Sequence, residues 1–264
     1  MNHDFDIAAK SYDQTFTNSN IGKAQRQQVY KYLNKLIDRS NSLRVLELNC
    51  GTGEDAKYIS QYGHKVIATD ISNEMIQIAK AKNNELSTSF YQQDITKITS
   101  KTFDEKFDLI FSNFGGFNCL SKTELTAFLD LAPQLLSTKG KLVLVVMPKH
   151  TIWETIYFSL KGQTKKAKRR TSETFVLANV EGIDVKTWYF NPSEIAKNAL
   201  HFDLINTRPI GLWVPPSYLE HSVLGKKSIL NILKKLDLVF SWSFLSKYAD
   251  HYYIELEKKS ADSQ

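Results

Sequence analysis

From residue 43 onward, short apolar runs alternate with stretches whose apolar residues recur at helical spacing. The runs predict strands over 43–48, 65–70, 89–93, 107–112 and 141–146, the last introduced by Gly140. Helices are predicted over 21–38, 53–62, 73–82 and 122–137, with Pro133 inside the last and able to kink it. Strand and helix in strict alternation imply βαβ units, and hence a parallel sheet. Sheets of this kind bind ligands at the carboxyl ends of their strands, so function is sought just after the first four.

After Pro148 the rhythm changes. Residues 149–178 hold an apolar helical patch (Ile152, Trp153, Ile156, Tyr157, Leu160), then Gly162 and a basic run. This reads as an insertion, followed by strand-like stretches at 180–190 and 202–214, a helix over 226–246 and a final strand at 251–256. No internal repeat is present. The expectation is one α/β domain: an N-terminal cover (1–42), a ligand-binding core (43–148), a lid insertion (149–178) and a C-terminal part (179–264) that completes the sheet and forms the acceptor side.

The 264 residues are 42% hydrophobic and 12% aromatic, enough for a full core and too many for a disordered or collagen-like chain. Net charge is +6, and much of the excess sits in Lys165, Lys166, Lys168, Arg169 and Arg170. Such a run is most simply a solvated face. It could also draw an anionic substrate, RNA or, with 152–170 as an amphipathic element, an anionic membrane surface. No aromatic residues interleave it, which disfavours single-stranded RNA. Cys50 and Cys119 are the only cysteines and make neither a disulfide framework nor a zinc set. With a polar, acidic N-terminus and no apolar run of about 20 residues, the expected location is cytoplasmic.

The most informative segment is Glu47-Leu48-Asn49-Cys50-Gly51-Thr52-Gly53. The glycines allow a tight turn where backbone can approach a ligand, and a helix opens behind it with free N–H groups. Gly51-Thr52-Gly53-x-x-Ala56 also meets the relaxed dinucleotide fingerprint. Glu47 argues for another ligand: a carboxylate there repels a pyrophosphate and attracts an ammonium group. Asp70 ends strand two, where it can accept both hydroxyls of a ribose. Gln93-Asp94-Ile95 closes strand three with groups able to bind an adenine amino group and cover its ring.

Val45 to Gly53 resembles the first motif of class I S-adenosylmethionine-dependent methyltransferases, departing at Asn49, where that family commonly has glycine. Ala68-Thr69-Asp70-Ile71-Ser72-x-x-Met75, Gln93-Asp94-Ile95 and 107–114 resemble the second, third and fourth motifs. The resemblance implies a Rossmann-like fold, a seven-stranded, mostly parallel sheet with helices on both faces, and S-adenosyl-L-methionine as cofactor. It places Glu47, Gly51 and Gly53 at the methionine part, with Asn49 in the same cofactor-binding bend, Asp70 at the ribose, and Ile71, Met75, Asp94 and Ile95 at the adenine. Asn113 ends the fourth motif, which faces the methionine part and the acceptor. Phe5-Asp6-x-Ala8-Ala9-x-x-Tyr12-Asp13 is similar to an N-terminal element of small-molecule methyltransferases in which the tyrosine helps close the cofactor site; in the helix that follows, Arg26 would reach a carboxylate.

Methyl transfer needs a base only when the acceptor is protonated. His150, just after strand five, is the candidate, ahead of His64, His201 and His221. No metal site is expected. Asn113-Phe114-Gly115-Gly116 lacks the Asn-Pro-Pro-Tyr-like pattern of enzymes that methylate base amino groups, which turns the expectation from nucleic acid towards a small-molecule or lipid-like acceptor. Two other readings stay open: an NAD-dependent oxidoreductase, and a non-catalytic cofactor-binding protein that docks on nucleic acid or membrane through the basic insertion.

Overall fold

The computed structural model describes residues 4–37, 41–83, 87–180 and 182–260. In chain order the elements are α1 (Asp4–Tyr12), a π-helical turn (Asp13–Thr17), α2 (Asn20–Ile37), β1 (Arg44–Leu48), α3 (Glu54–Ser60), β2 (Lys65–Asp70), α4 (Asn73–Lys82), β3 (Thr88–Gln92) and β4 (Phe107–Ser112). There follow α5 (Lys122–Leu135), β5 (Leu136–Val146), α6 (Ile152–Leu160), α7 (Thr164–Ala167), β6 (Val176–Val180), β7 (Ile183–Thr187), α8 (Pro192–Asn198), β8 (Phe202–Ile210), α9 (Lys227–Val239) and β9 (His251–Lys258).

Seven strands form one sheet in the order β3-β2-β1-β4-β5-β9-β8, and only β9 runs against its neighbours. Strand periodicity sends successive side chains to opposite faces. Val45, Leu109, Phe111, Val143 and Val145 pack against α2 and α3, while Leu46, Ile110, Leu142 and Leu144 pack against α5 and α8. Both faces are therefore covered, which is why these strands read as continuous apolar runs.

Several predicted boundaries move. The helix expected over 21–38 is α2, with residue 38 outside the described residues. Pro133 falls in the last turn of α5, where it cannot donate to the Leu129 carbonyl; the helix ends two residues later, and β5 begins at once with Leu136, well before Gly140. Lys139, at φ 60°, bends that early part of the strand. The strand expected at 180–190 is instead the hairpin β6–β7, a separate two-stranded sheet. β8 stops at Ile210 because Gly211 takes a left-handed φ of 68°, and the helix expected to reach 246 ends at Val239. The N-terminal cover, expected to be helical over 21–38, has a further helix from Asp4.

The insertion is also built differently from expectation. Arg169 and Arg170 are not a solvated face: both chelate the buried Glu154 of α6 at 2.7–2.8 Å, and Arg170 also pairs with buried Asp250 at 2.9 Å. Only Lys165, Lys166 and Lys168 of the run are exposed. No helix among the described residues is long and apolar enough to cross a membrane.

Candidate active site

The site is assembled where β1, β2 and β4 end. The first turn holds three left-handed residues, Asn49 (φ 57°), Gly51 (φ 53°) and Gly53 (φ 80°). Asn49 departs from glycine yet keeps glycine's backbone, which asparagine tolerates better than most residues. The Gly51 N–H donates to Asp70 Oδ2 at 2.8 Å and the Ser72 N–H to Asp70 Oδ1 at 2.9 Å, so one carboxylate fastens the glycine turn to the tip of β2. A carboxylate has about four acceptor positions, so these N–H groups leave capacity for a ligand hydroxyl. Burial lifts the Asp70 carboxyl above its usual range, against the lowering effect of those N–H groups.

Glu47 is 1% exposed, and its Oε2 has no hydrogen-bond partner. Burial, aggravated by Asp55, drives its pKa well up. An ammonium group beside it would supply both the missing donor and the missing charge.

Asp55, which the sequence did not single out, is the hub of the cleft. Its Oδ2 takes a 2.5 Å ion pair from Arg26 and a 3.0 Å bond from Asn113 Nδ2, and its Oδ1 accepts from Tyr30 Oη at 2.7 Å. An acid in the first turn of a helix is commonplace, so no signal marked it. Arg26, expected to reach a ligand carboxylate, is held by the protein's own. Its guanidinium lies 5.0 Å from the Phe114 ring and 6.0 Å from that of Phe16. Tyr12, Arg26, Asn49, Gly51, Asp55, Asn113 and Phe114 line one cleft with a volume of about 20 Å³. Burial raises the Tyr12 phenol to about 12.

The N-terminal segment is tied across these strand tips. Asp6 accepts from Ser72 Oγ at 2.5 Å, and Asp13 accepts from Thr52 Oγ1 at 2.5 Å and Lys82 Nζ at 2.7 Å.

The remaining expected residues spread around this cleft. Ile71 follows β2 partly exposed, and Met75 is buried in the first turn of α4. Asp94 caps the turn after β3, accepting from Thr96 N at 2.9 Å and Thr96 Oγ1 at 2.7 Å. Gly53 faces away from the cleft: a Cβ there would meet Phe90 at 2.9 Å and Ala79 at 3.0 Å, so its role is close helix packing. Ile95 lines a separate apolar cleft of about 100 Å³ with Ile98, Leu120 and Phe128.

His150 is exposed and stands outside both clefts. The imidazole in contact with a cleft residue is His251, the first residue of β9, which itself lines neither cleft. Its ring stands edge-on to Phe114 at 5.5 Å, and Nδ1 lies 3.2 Å from Asp250 Oδ2. Burial raises the Asp250 carboxyl, but His251 and Arg170 outweigh it and hold the group below its usual range. Sequence reading passed over His251 because its place at the sheet's active edge depends on how β9 inserts between β5 and β8.

Residues 45–140 match the family model described as a methyltransferase domain. The chain contains a class I S-adenosylmethionine-dependent methyltransferase domain. A malonyl-[acyl-carrier protein] O-methyltransferase of Bacillus anthracis is 33% identical over 111 residues, 41% of this chain and 39% of that protein. The match thus spans about two fifths of that curated relative's length. Among solved structures, magnesium protoporphyrin IX methyltransferase of Synechocystis PCC 6803 with bound SAH superposes with a TM-score of 0.59 at 16% identity, covering 91% of this chain and 86% of that one. A Pyrococcus horikoshii OT3 protein gives a TM-score of 0.58 at 17% identity, covering 95% and 99%. These two likenesses concern the fold. Three features of the domain would suit such a cofactor: an orphaned buried carboxylate oxygen on Glu47, a bend of left-handed residues after it, and an acid at the second strand tip.

Proposed function

We propose that the methyltransferase passes the methyl group of S-adenosyl-L-methionine to an oxygen of a small or lipid-like acceptor, which enters beside Phe114 and His251. The observation that carries this reading is the pair of acids on either side of the glycine bend, Glu47 with an unpartnered buried oxygen and Asp70 fastened to the Gly51 N–H. Glu47 would take the methionine ammonium, Asp70 the ribose, and Asp94 the adenine amino group through whatever acceptor capacity Thr96 leaves. Tyr12, Arg26 and Asn113 would close the methionine end. The bound cofactor supplies an electrophilic methyl on sulfonium. The chain supplies alignment and exclusion of water, and proximity of this kind is worth roughly 7–11 kcal/mol of barrier.

His251, with Nδ1 3.2 Å from Asp250 Oδ2, is the base of this reading where the acceptor oxygen carries a proton; a carboxylate acceptor needs none. An oxygen acceptor is supported by the Bacillus anthracis relative, whose name specifies O-methylation of a carrier-bound malonyl group. Radiolabelled S-adenosylmethionine is incubated with the protein and separate pools of carrier-bound malonate, free fatty acids, phenols, RNA and protein. Label in a methyl ester or ether that is organic-extractable, either directly or after the carrier thioester is cleaved, supports the reading. Label confined to RNA, or to protein after thioester cleavage, overturns it.

A further inference from the structure

The C-terminal half of the chain carries an apolar surface that the methyl-transfer site does not use. On α9, Ile232, Lys235, Leu238 and Val239 recur at helical spacing and are all exposed. The helix runs on into an aromatic ladder. Trp213 and Phe240 are 5.5 Å apart, Phe240 and Trp242 5.6 Å, and Trp242 stacks on Phe244 at 5.9 Å. Trp242 is 52% exposed and Phe244 64%. Monomeric soluble proteins rarely leave a contiguous patch of this kind bare.

Its charge is of one sign. Between His221 and Asp250 the cations are Lys226, Lys227, Lys234, Lys235 and Lys247, and the only acids are Asp237 and Asp250. Both acids are buried: Asp237 accepts from the Trp213 and Val214 N–H groups at 2.8 and 3.0 Å, and Asp250 is held by Arg170. The neighbouring α2 adds Lys31 and Lys35, each over the Tyr32 ring. Tryptophan, phenylalanine and branched aliphatics on one face, rimmed by lysines with no exposed acid, are the composition of an element lying in the headgroup region of an anionic bilayer.

We propose that α9 and the 240–248 segment dock the protein on an anionic lipid surface, with Trp242 and Phe244 inserted among the headgroups and Lys227, Lys235 and Lys247 paired with lipid phosphates. The surface differs from the one the sequence suggested. In 152–170, Arg169 and Arg170 are spent on Glu154, and Trp153 is tied to the Leu212 carbonyl at 3.0 Å. β8 pairs Ile210 with His251, and the chain leads directly from there through Gly211 to Trp213. The docking face therefore adjoins the edge at which an acceptor enters.

The test is co-sedimentation of the full chain with vesicles of phosphatidylcholine alone, or of phosphatidylcholine mixed equally with phosphatidylglycerol. Vesicle binding requires neither cofactor nor acceptor, so its outcome is separate from that of the methyl-transfer reading. Binding to the anionic vesicles only, weakened by salt and accompanied by a blue shift of tryptophan emission, is expected. W242A/F244A and K227E/K235E should each weaken it by about tenfold or more while melting and S-adenosylhomocysteine binding stay unchanged. Four results would overturn the proposal: no binding to anionic vesicles, binding that neither double variant weakens, a dimer in solution that W242A/F244A dissociates, or capture of an acidic carrier protein in place of vesicles.

Discussion

A Cβ on Gly116 would lie 2.5 Å from the Cβ of Asn49, closer than real side chains approach. The two positions are complementary. Asn49 stands where related first motifs carry glycine, and the space its side chain needs comes from a glycine beyond the tip of β4. Ser112 Oγ donates to Asn49 Oδ1 at 3.3 Å, completing the contact.

Gly116→Ala is therefore expected to cost about 1–3 kcal/mol, the usual range for overpacking. Asn49→Gly suits the positive φ at that position, and the double variant N49G/G116A should recover most of the loss. Denaturant unfolding of the four species checks this. Additive losses would show that the two residues do not compete for space.

The ion network of the insertion sets a second expectation. Glu154→Ala leaves Arg169 without its carboxylate and the buried Arg170 with Asp250 alone, and should cost about 3 kcal/mol, the lower end of the range for a broken buried pair. The same network predicts acid lability. Burial pushes the Glu154 carboxyl up, but Arg170 and Arg169 more than reverse this and hold it low; Asp250 is likewise depressed. Depressed carboxyls stabilise the fold above their unfolded values, 4.5 for Glu154 and 3.8 for Asp250, and lose that contribution as pH falls. Thermal melting of the native protein should fall steeply below this range, and less steeply for Glu154→Ala.

The N-terminal segment lies over a narrow cleft lined by its own Tyr12 and Thr17, so entry of the cofactor is expected to depend on how firmly that segment is held. Asp13→Ala removes the bonds to Thr52 and Lys82 that hold it down. Stopped-flow measurements should show S-adenosylhomocysteine both entering and leaving faster in this variant. Unchanged rates would mean that the Asp13 bonds do not gate entry.

For His251, the expected signature is selective. His251→Asn should lower turnover about 10²–10⁴-fold on an acceptor with an O–H group, leave a carboxylate acceptor almost unaffected, and leave cofactor affinity intact. A uniform loss on both acceptors would assign His251 a structural role.

The sheet was legible because strands buried on both faces read as unbroken apolar runs, and because the acids at the tips of β1 and β2 sit at fixed distances from the glycines. Elsewhere the signal was tertiary. Asp55 looks like any first-turn acid until α2 brings Arg26 and Tyr30 to it. Arg169 and Arg170 read as solvated until α6 turns Glu154 inward. His251 comes to the active edge only through the antiparallel insertion of β9, which no local pattern in 251–256 announces. The β6–β7 hairpin was read as one strand because two short runs around Gly182 have no helical period and little else to separate them.

The central claim is that two acids joined by a glycine bend receive a nucleoside bearing positive charge. Calorimetric titration of S-adenosylhomocysteine and of NADH, each into the wild-type protein, tests it most directly. The account predicts saturable binding of S-adenosylhomocysteine at one site and none of NADH. Saturable binding of NADH without S-adenosylhomocysteine would contradict it.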